Sequence, residues 1–103
     1  MHKVKTVTKK EIIEQTAKKM NAKTQITEKV VSATFTALRK VIEEANPEIR
    51  IEIRDFGVLE VKTTKAKPKA RNPKTGEIVY VPARKKTHFK AGKILRAELK
   101  RPL

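Results

Sequence analysis

The 103-residue sequence predicts an α+β fold. We expect two helices that pack together, a three-stranded antiparallel sheet with an extended two-stranded β-arm, and a short C-terminal helix. Three observations carry this prediction. Apolar residues recur at helical spacing up to residue 45, apolar and charged residues alternate strictly over 49–54, and a cation-rich stretch at 65–71 runs into a turn. The length suits a single domain, 1–103.

Two helices account for the first half of the chain. Residues 1–7 are predicted to be a flexible lead, and Thr8 followed by Glu11 is a capping-box pattern that opens a first helix. The second helix is predicted over about 23–45, before the Asn46-Pro47 pair. Its apolar positions cover more than the roughly 100° arc of a surface helix. This excess predicts burial on two sides, one of them against a partner chain.

Alternation of apolar and charged residues marks the strands that follow. Residues 49–54 predict a half-buried strand, and 55–57 predict a turn into a second strand at 58–62. This second strand is expected to continue directly into the arm, which returns along 78–83. The last helix is predicted over roughly 90–99, with Ile94, Leu95 and Leu99 turned to the core.

The arm, predicted over about 63–82, is defined by a stripe of cations. Four of them recur with period two, so an extended strand places all four on one face: Lys65, Lys67, Lys69 and Arg71. The turn-forming segment 72–76 then reverses the chain. Pro68 and Pro82 lie inside the two strands, where a missing N–H is tolerated at an edge, and a free two-stranded ribbon is all edge.

Charge indicates the class of partner. The formal net charge is +15, from 26 Lys and Arg against 11 Asp and Glu. Residues 62–103 hold 14 cations and 2 acids, whereas residues 1–61 are nearly balanced with 12 and 9. This asymmetry is typical of a protein that binds a polyanion. Membrane lipid is also a polyanion, but the sequence has no long apolar span that would favour a membrane. Nucleic acid is therefore the expected partner.

Several functional classes are disfavoured by composition. The chain has no cysteine, which excludes disulfides and thiolate metal sites, and we expect no metal and no cofactor. Asp55 is the only aspartate, and no cluster of carboxylates or nucleophile–histidine pair indicates an enzyme, so no catalytic residue is assigned. The hydrophilic first ten residues lack the apolar core of a signal peptide, which predicts a soluble, cytoplasmic and nucleoid-associated protein.

Two further expectations concern partners. A basic chain of this size also suits RNA or ribosome binding, but RNA readers of single strands usually display several aromatic residues, and this chain has one Tyr and three Phe. With the arm set aside, only about 80 residues remain for a core, which is marginal for a single chain. The sequence therefore predicts a dimer that carries two arms side by side.

Three blocks of sequence resemble one family. The block RNPKTG at 71–76 is similar to the arm tip of the HU/IHF family of bacterial DNA-bending proteins. FGVLEV at 56–61 is similar to its hairpin, and FKAGKIL at 89–95 to the start of its last helix. The resemblance covers residues 8–100. It implies an intertwined homodimer, or a heterodimer with a paralogue, whose β-arms enter the minor groove of double-stranded DNA and bend it.

The resemblance also implies roles for individual residues. Pro73 is the wedge between base pairs, and Arg71 and Asn72 face the groove floor. The remaining DNA-binding positions are Lys65, Lys67, Lys69, Lys74 and Thr75 on the arm and Lys9, Lys93 and Arg96 on the body. A largely sequence-tolerant DNA-compacting protein is the expected function, with a site-specific IHF-like bender as the alternative.

Simpler interpretations stand beside these roles. Asn72-Pro73 also suits an ordinary turn, although the basic strand that leads to it favours a function. Lys93 and Arg96 also suit the solvated face of an amphipathic helix. The chain departs from the family where Asp55 replaces a usual glycine and Leu59 a usual aromatic residue.

Overall fold

The computed structural model describes residues 3–103 and confirms the α+β class. Two helices, five strands and a final helix follow one another within this range: α1 (Lys9–Met20), α2 (Thr24–Glu43), β1 (Ile49–Ile53), β2 (Gly57–Thr63), β3 (Lys67–Arg71), β4 (Ile78–Val81), β5 (Lys85–Ala91) and α3 (Lys93–Leu99). The chain divides between Glu43 and Glu44 into two compact units. Part of the predicted lead, residues 1 and 2, lies outside the described residues, and residues 3–8 are exposed and form no regular element.

Helix α1 begins and ends with backbone rather than side-chain caps. Thr8 adopts an extended conformation before Lys9, as predicted, but its side chain makes no capping hydrogen bond. The capping box predicted from Thr8 and Glu11 is therefore wrong, although the predicted helix start is right. At the other end Asn21 adopts the left-handed conformation (φ 51°), which closes the last turn.

Helices α1 and α2 pack against each other through a small contact. Ile13 and Ala17 of α1 are buried, as is Thr27 of α2, whose hydroxyl donates to the Lys23 carbonyl oxygen at 2.9 Å. Helix α2 ends at Glu43, two residues earlier than predicted. Most of its apolar residues remain at the surface of the single chain: Ile26 is 58% exposed and Val30 60%. One side of α2 is therefore left for the partner that its sequence predicts.

The second unit contains a three-stranded antiparallel sheet in the order β1-β2-β5. Ile49 pairs with Val61, and Gly57 pairs with both Ile53 and Ala91. Gly57 is required at this position, because a Cβ would lie 2.4 Å from the Lys90 carbonyl oxygen. Next to it the Phe56 and Phe89 rings pack with centroids 5.1 Å apart, although the two residues are 48% and 40% exposed.

The last helix starts later than the sequence predicted. Residues 85–91 form β5, so the predicted start near Lys90 is wrong, and α3 begins at Lys93. The Gly92 N–H donates to the Phe56 carbonyl oxygen at 2.8 Å, which ends the strand and turns the chain into the helix. Ile94 and Leu99 were expected in the core, but this expectation is wrong for the single chain, where they are 64% and 69% exposed.

The β1–β2 turn holds a residue in an unfavourable backbone region. Asp55 has φ 64°, the left-handed conformation that glycine adopts without penalty. We expect Asp55→Gly to raise the free energy of unfolding by up to about 1 kcal/mol, measured by denaturant titration at fixed protein concentration. Asp55→Ala is the control, since alanine retains the steric penalty. Equal effects of the two substitutions would contradict this explanation.

Candidate nucleic-acid interface

The arm is a two-stranded sheet of its own, made of β3 and β4. Strand β2 ends at Thr63 and residues 64–66 are irregular, so the predicted direct continuation of β2 into the arm is wrong. The return strand β4 ends at Val81, short of the predicted residue 83. The arm is therefore joined to the three-stranded sheet by two short irregular segments, 64–66 and 82–84.

A β-bulge changes which cations share a face. Lys67 pairs with Val81, but Ala70 pairs with Val79, so β3 contains one extra residue between these pairs. Because paired residues and alternate residues lie on the same face, Lys67 lies with Val79 and Val81. Lys69 and Arg71 lie on the opposite face, the face of Ile78 and Tyr80.

The predicted single face of four cations is therefore wrong. Lys65 lies outside β3, in the irregular segment, and Lys67 is separated from Lys69 and Arg71 by the bulge. Pro68 explains the irregularity, because proline cannot donate a ladder hydrogen bond and is found at edges and bulges. The arm presents cations on both of its faces.

The tip of the arm is a tight turn held by side chains. The Asn72 side-chain oxygen accepts the Lys74 N–H at 2.9 Å, and the Thr75 hydroxyl oxygen accepts the Glu77 N–H at 3.3 Å. The Gly76 N–H donates to the Asn72 carbonyl oxygen at 2.7 Å, and Gly76 has φ 75°, which favours glycine. The side chain of Asn72 thus bridges the peptide of Pro73 and fixes this turn.

These contacts leave the Pro73 ring at the exposed end of the arm. Arg71 stands beside it, with Nη1 3.5 Å from the Gly76 carbonyl oxygen. Among the described residues, no carboxylate forms an ion pair with the arm cations Lys65, Lys67, Lys69 or Lys74. The tip therefore combines an apolar ring that has no donor with positive charge that is free to meet an anion.

The body cations assigned by sequence are exposed and stand near helix starts. Lys9 is the first residue of α1, in the first unit. Lys93 is the first residue of α3 and Arg96 lies one turn later, in the second unit with the arm. Charges at these places are solvent-accessible and can pair with phosphates.

One cluster of cations was missed by sequence reasoning. Cross-strand pairing places Lys62 beside Lys86 and Glu60 beside His88 on one face of the sheet, and Lys90 lies on that face too. Lys90 Nζ lies 3.2 Å and Lys62 Nζ 3.7 Å from Glu60 Oε1. The Lys90 hydrogen bond, helped by the charges of Lys62 and Arg50, holds the pKa of Glu60 below its usual value despite partial desolvation. The signal was present as alternate basic residues at 86, 88 and 90, a stretch for which no strand was predicted.

Other kinds of site find no support within residues 3–103. No group of three or more metal-ligating side chains comes together in this range. None of the described helices has the length and apolar character needed to cross a membrane.

Comparison with known proteins identifies the family. The family model described as "Bacterial DNA-binding protein" matches residues 7–100. The chain belongs to this family. It is similar to integration host factor subunit alpha of Haemophilus influenzae, with 34% identity over 96 residues that cover 93% of this chain and 96% of the relative.

Further members of the family carry two names. The subunit beta of integration host factor from Hahella chejuensis is 39% identical over 94 residues, 90% of this chain and 92% of the relative. DNA-binding protein HU of Thermotoga maritima is 34% identical over 94 residues, 91% of this chain and all of the relative. The HU/IHF resemblance read from the sequence is thereby confirmed.

A solved structure agrees with the fold. The Anabaena HU–DNA cocrystal structure superimposes with a TM-score of 0.79 at 26% identity, covering 93% of this chain and all of that chain. The architecture described above is thus the architecture of an HU/IHF-family DNA-binding protein.

Proposed function

We propose that this protein bends double-stranded DNA as a dimer, with its two β-arms in the minor groove and Pro73 as the wedge at each tip. The observation that carries the proposal is the exposed proline at the end of an arm whose cations form no ion pair with a carboxylate of residues 3–103. In this proposal residues 1–103 form one DNA-binding domain, and the arm spans about 63–82. The protein shapes DNA and does not catalyse a reaction, and it acts in the nucleoid.

The chemistry of the tip supports a wedge. A proline ring presents an apolar surface and no N–H, so it enters a base step without burying an unsatisfied donor. Unstacking costs a few kcal/mol per step, which phosphate contacts along bent DNA offset. Arg71 and Asn72 meet the groove floor beside the ring. The Asn72 carbonyl and side-chain oxygens are engaged within the turn, which leaves its amide donors for base acceptors.

The cations supply affinity without sequence information. The proposed phosphate contacts come from Lys65, Lys67, Lys69, Lys74 and Thr75 on the arm and Lys9, Lys93 and Arg96 on the body. Because β3 carries Lys67 on one face and Lys69 on the other, an arm lying in the minor groove meets the phosphates of both strands. The bulge therefore suits a groove with charge on both walls.

A dimer is supported by how little of the single chain is buried. Among the described residues, only Ile13, Ala17, Ala45 and Val61 are buried apolar side chains. The apolar residues of α2 and α3 lie open, including Ile26, Val30, Ile94 and Leu99, each more than half exposed. A second copy of this chain would cover them, and a heterodimer with a paralogue is the alternative.

This interpretation predicts that folding and dimerisation are coupled. The melting temperature should rise with protein concentration, because dissociation is then part of unfolding. The measurement is thermal unfolding by circular dichroism over a hundredfold range of concentration, paired with analytical ultracentrifugation. A stable monomer at micromolar concentration, with a constant melting temperature, would contradict it.

Two other functions compete with sequence-tolerant bending. The relatives carry the names of both HU and integration host factor, so a site-specific bender remains the alternative. RNA binding is the second alternative. Fluorescence anisotropy at equal salt should show tighter binding to nicked duplex DNA than to intact duplex or structured RNA, and energy transfer between duplex ends should increase on binding. Tighter binding to RNA with no change in energy transfer would refute the proposal.

A further inference from the structure

The root of the arm is held by an unusual pair, Thr64 and Arg84. The Thr64 N–H donates to the Arg84 carbonyl oxygen at 2.7 Å, in register with the β2–β5 ladder. The return bond does not go to a carbonyl. The Arg84 N–H instead donates to the Thr64 hydroxyl oxygen at 3.1 Å, and that hydroxyl lies 3.4 Å from the Arg84 carbonyl oxygen. A side-chain hydroxyl thus replaces a backbone acceptor at the last rung before the arm.

Proline explains why the ladder stops at this rung. In an antiparallel pair, hydrogen-bonded rungs alternate with non-bonded ones, so the rung after Thr64–Arg84 falls at Ala66 and Pro82. Pro82 has no N–H and cannot complete it. Regular pairing resumes only at Lys67 and Val81, in the same register. The arm is therefore attached to the sheet across a missing hydrogen-bonded rung, and the Thr64–Arg84 pair is the last rung on the sheet side of it.

The opposite edge of β2 is closed by a second side chain. Strand β1 begins at Ile49, opposite Val61, so Thr63 has no β1 residue within the strand to accept its N–H. The Glu48 carboxylate takes this place: Oε2 accepts the Thr63 N–H at 3.1 Å and the Thr63 hydroxyl at 3.3 Å. Side chains thus supply the hydrogen bonds on both edges of the chain at Thr63 and Thr64, where the irregular segment 64–66 begins.

We propose that Thr64 and Glu48 are positioning residues for DNA bending. They form a latch (the Thr64–Arg84 rung together with the Glu48–Thr63 bonds) that fixes the direction in which the arm leaves the sheet. The inference rests on the proposed function, because the arm direction decides where Pro73 meets the duplex. Neither residue carries the positive charge that attracts phosphate, since Thr64 is neutral and Glu48 is anionic. The latch acts by restricting the free arm, which lowers the ordering cost of binding.

The first test requires no DNA. Thr64→Val removes the hydroxyl but keeps the shape, and Thr64→Ser keeps the hydroxyl. We expect the amide order parameters of β3 and β4, from ¹⁵N relaxation of the intact dimer, to fall towards the flexible range below about 0.6 in Thr64→Val and to stay at the wild-type values in Thr64→Ser. Unchanged arm order in Thr64→Val, or equal loss in Thr64→Ser, would overturn the latch.

Glu48 offers an independent pair of variants. Glu48→Gln retains a side-chain oxygen that accepts the Thr63 bonds, whereas Glu48→Ala removes it. We expect Glu48→Ala to loosen the arm and Glu48→Gln to leave it ordered. Because Glu48 is exposed, both variants should fold. If Glu48→Gln also loosened the arm, the negative charge of Glu48 and not its hydrogen bonds would be responsible. The order of the arm would then depend on charge interactions with the nearby cations rather than on the latch.

The second test asks whether the latch matters for bending. Thr64→Val should reduce affinity for nicked duplex several-fold and broaden the distribution of end-to-end distances in single-molecule energy transfer, while the dependence of binding on salt stays the same. No cation is removed, so an altered salt slope would overturn the positioning role. Unchanged affinity and distances in a variant whose arm has loosened would overturn it too. Failure of the wild-type protein to bend DNA would instead refute the proposed function and leave the relaxation test of the latch standing.

Discussion

Raising the salt concentration from 50 to 200 mM is expected to weaken binding to duplex DNA by roughly a thousandfold or more. The expectation follows from counterion release, provided that about six to ten phosphates are neutralised. The protein carries 14 cations against 2 acids in residues 62–103, and the arm cations are not engaged by carboxylates of the described residues. The measurement is the dissociation constant at four or five salt concentrations, plotted on logarithmic axes.

The arm cations provide the matched variants. Lys67→Ala and Lys69→Ala should each reduce the salt slope by about 2, because each dimer loses two phosphate contacts, and weaken binding to all duplex sequences about equally. Since the two side chains lie on opposite faces of β3, the double variant should show the sum of the two effects, as expected for contacts with separate phosphates. Arg39→Ala is the control, because Arg39 pairs with Glu43 within α2 and is not among the assigned DNA-binding positions, so it should leave the slope unchanged. A nearly flat salt dependence of the wild type would mean that the basic half serves something other than phosphates.

The sequence predicted the helices and strands that can be recognised from the residues of one segment alone, without knowledge of its partner. Strict alternation located β1, helical spacing located α1 and α2, and RNPKTG located the tip of the arm. Register was beyond this kind of reasoning. Whether the backbone nitrogen of residue 68 or 82 faces into or out of a ladder depends on the pairing partner, so the bulge in β3 and the gap at the root of the arm were not visible in the positions of the prolines.

The third strand was missed for a different reason. Residues 85–91 read KKTHFKA, with charge at alternate positions and a single aromatic residue, because the face that includes Lys86, His88 and Lys90 points to solvent. The helix was then predicted to begin near Lys90, but it starts only at Lys93. Exposure of Ile94 and Leu99 could not be predicted either, since helical spacing identifies an apolar face without saying which chain covers it.

Replacing Pro73 with alanine is expected to remove bending while leaving most of the affinity for straight duplex. The substitution takes away the ring that enters the base step, and every cation of the arm remains. The variant should also lose the preference for nicked, gapped or pre-bent DNA, because in those substrates the unstacking cost is already met and the wedge gains most. Energy transfer between duplex ends and competition between nicked and intact duplex measure the two effects.

The turn allows this substitution to be interpreted. The bonds that hold the tip come from Asn72, Thr75 and Gly76, and none of them uses an atom of the Pro73 side chain. Alanine accepts the backbone conformation of a proline, so the tip should keep its shape. Asn72→Ala is the complementary variant: it removes the oxygen that accepts the Lys74 N–H, so it should loosen the turn and lower bending although the proline is present.

Arg71→Ala separates charge from wedge. This variant removes a cation at each arm tip of the dimer and keeps the ring, so it should weaken binding to straight and distorted duplex alike and reduce the salt slope by about 2. The two variants thus predict opposite patterns: Pro73→Ala changes the ratio of the two affinities, and Arg71→Ala changes both affinities with little effect on the ratio. If Pro73→Ala left both bending and the preference for distorted DNA intact, Pro73 would be a turn residue only, and the arms would hold DNA by charge without a wedge.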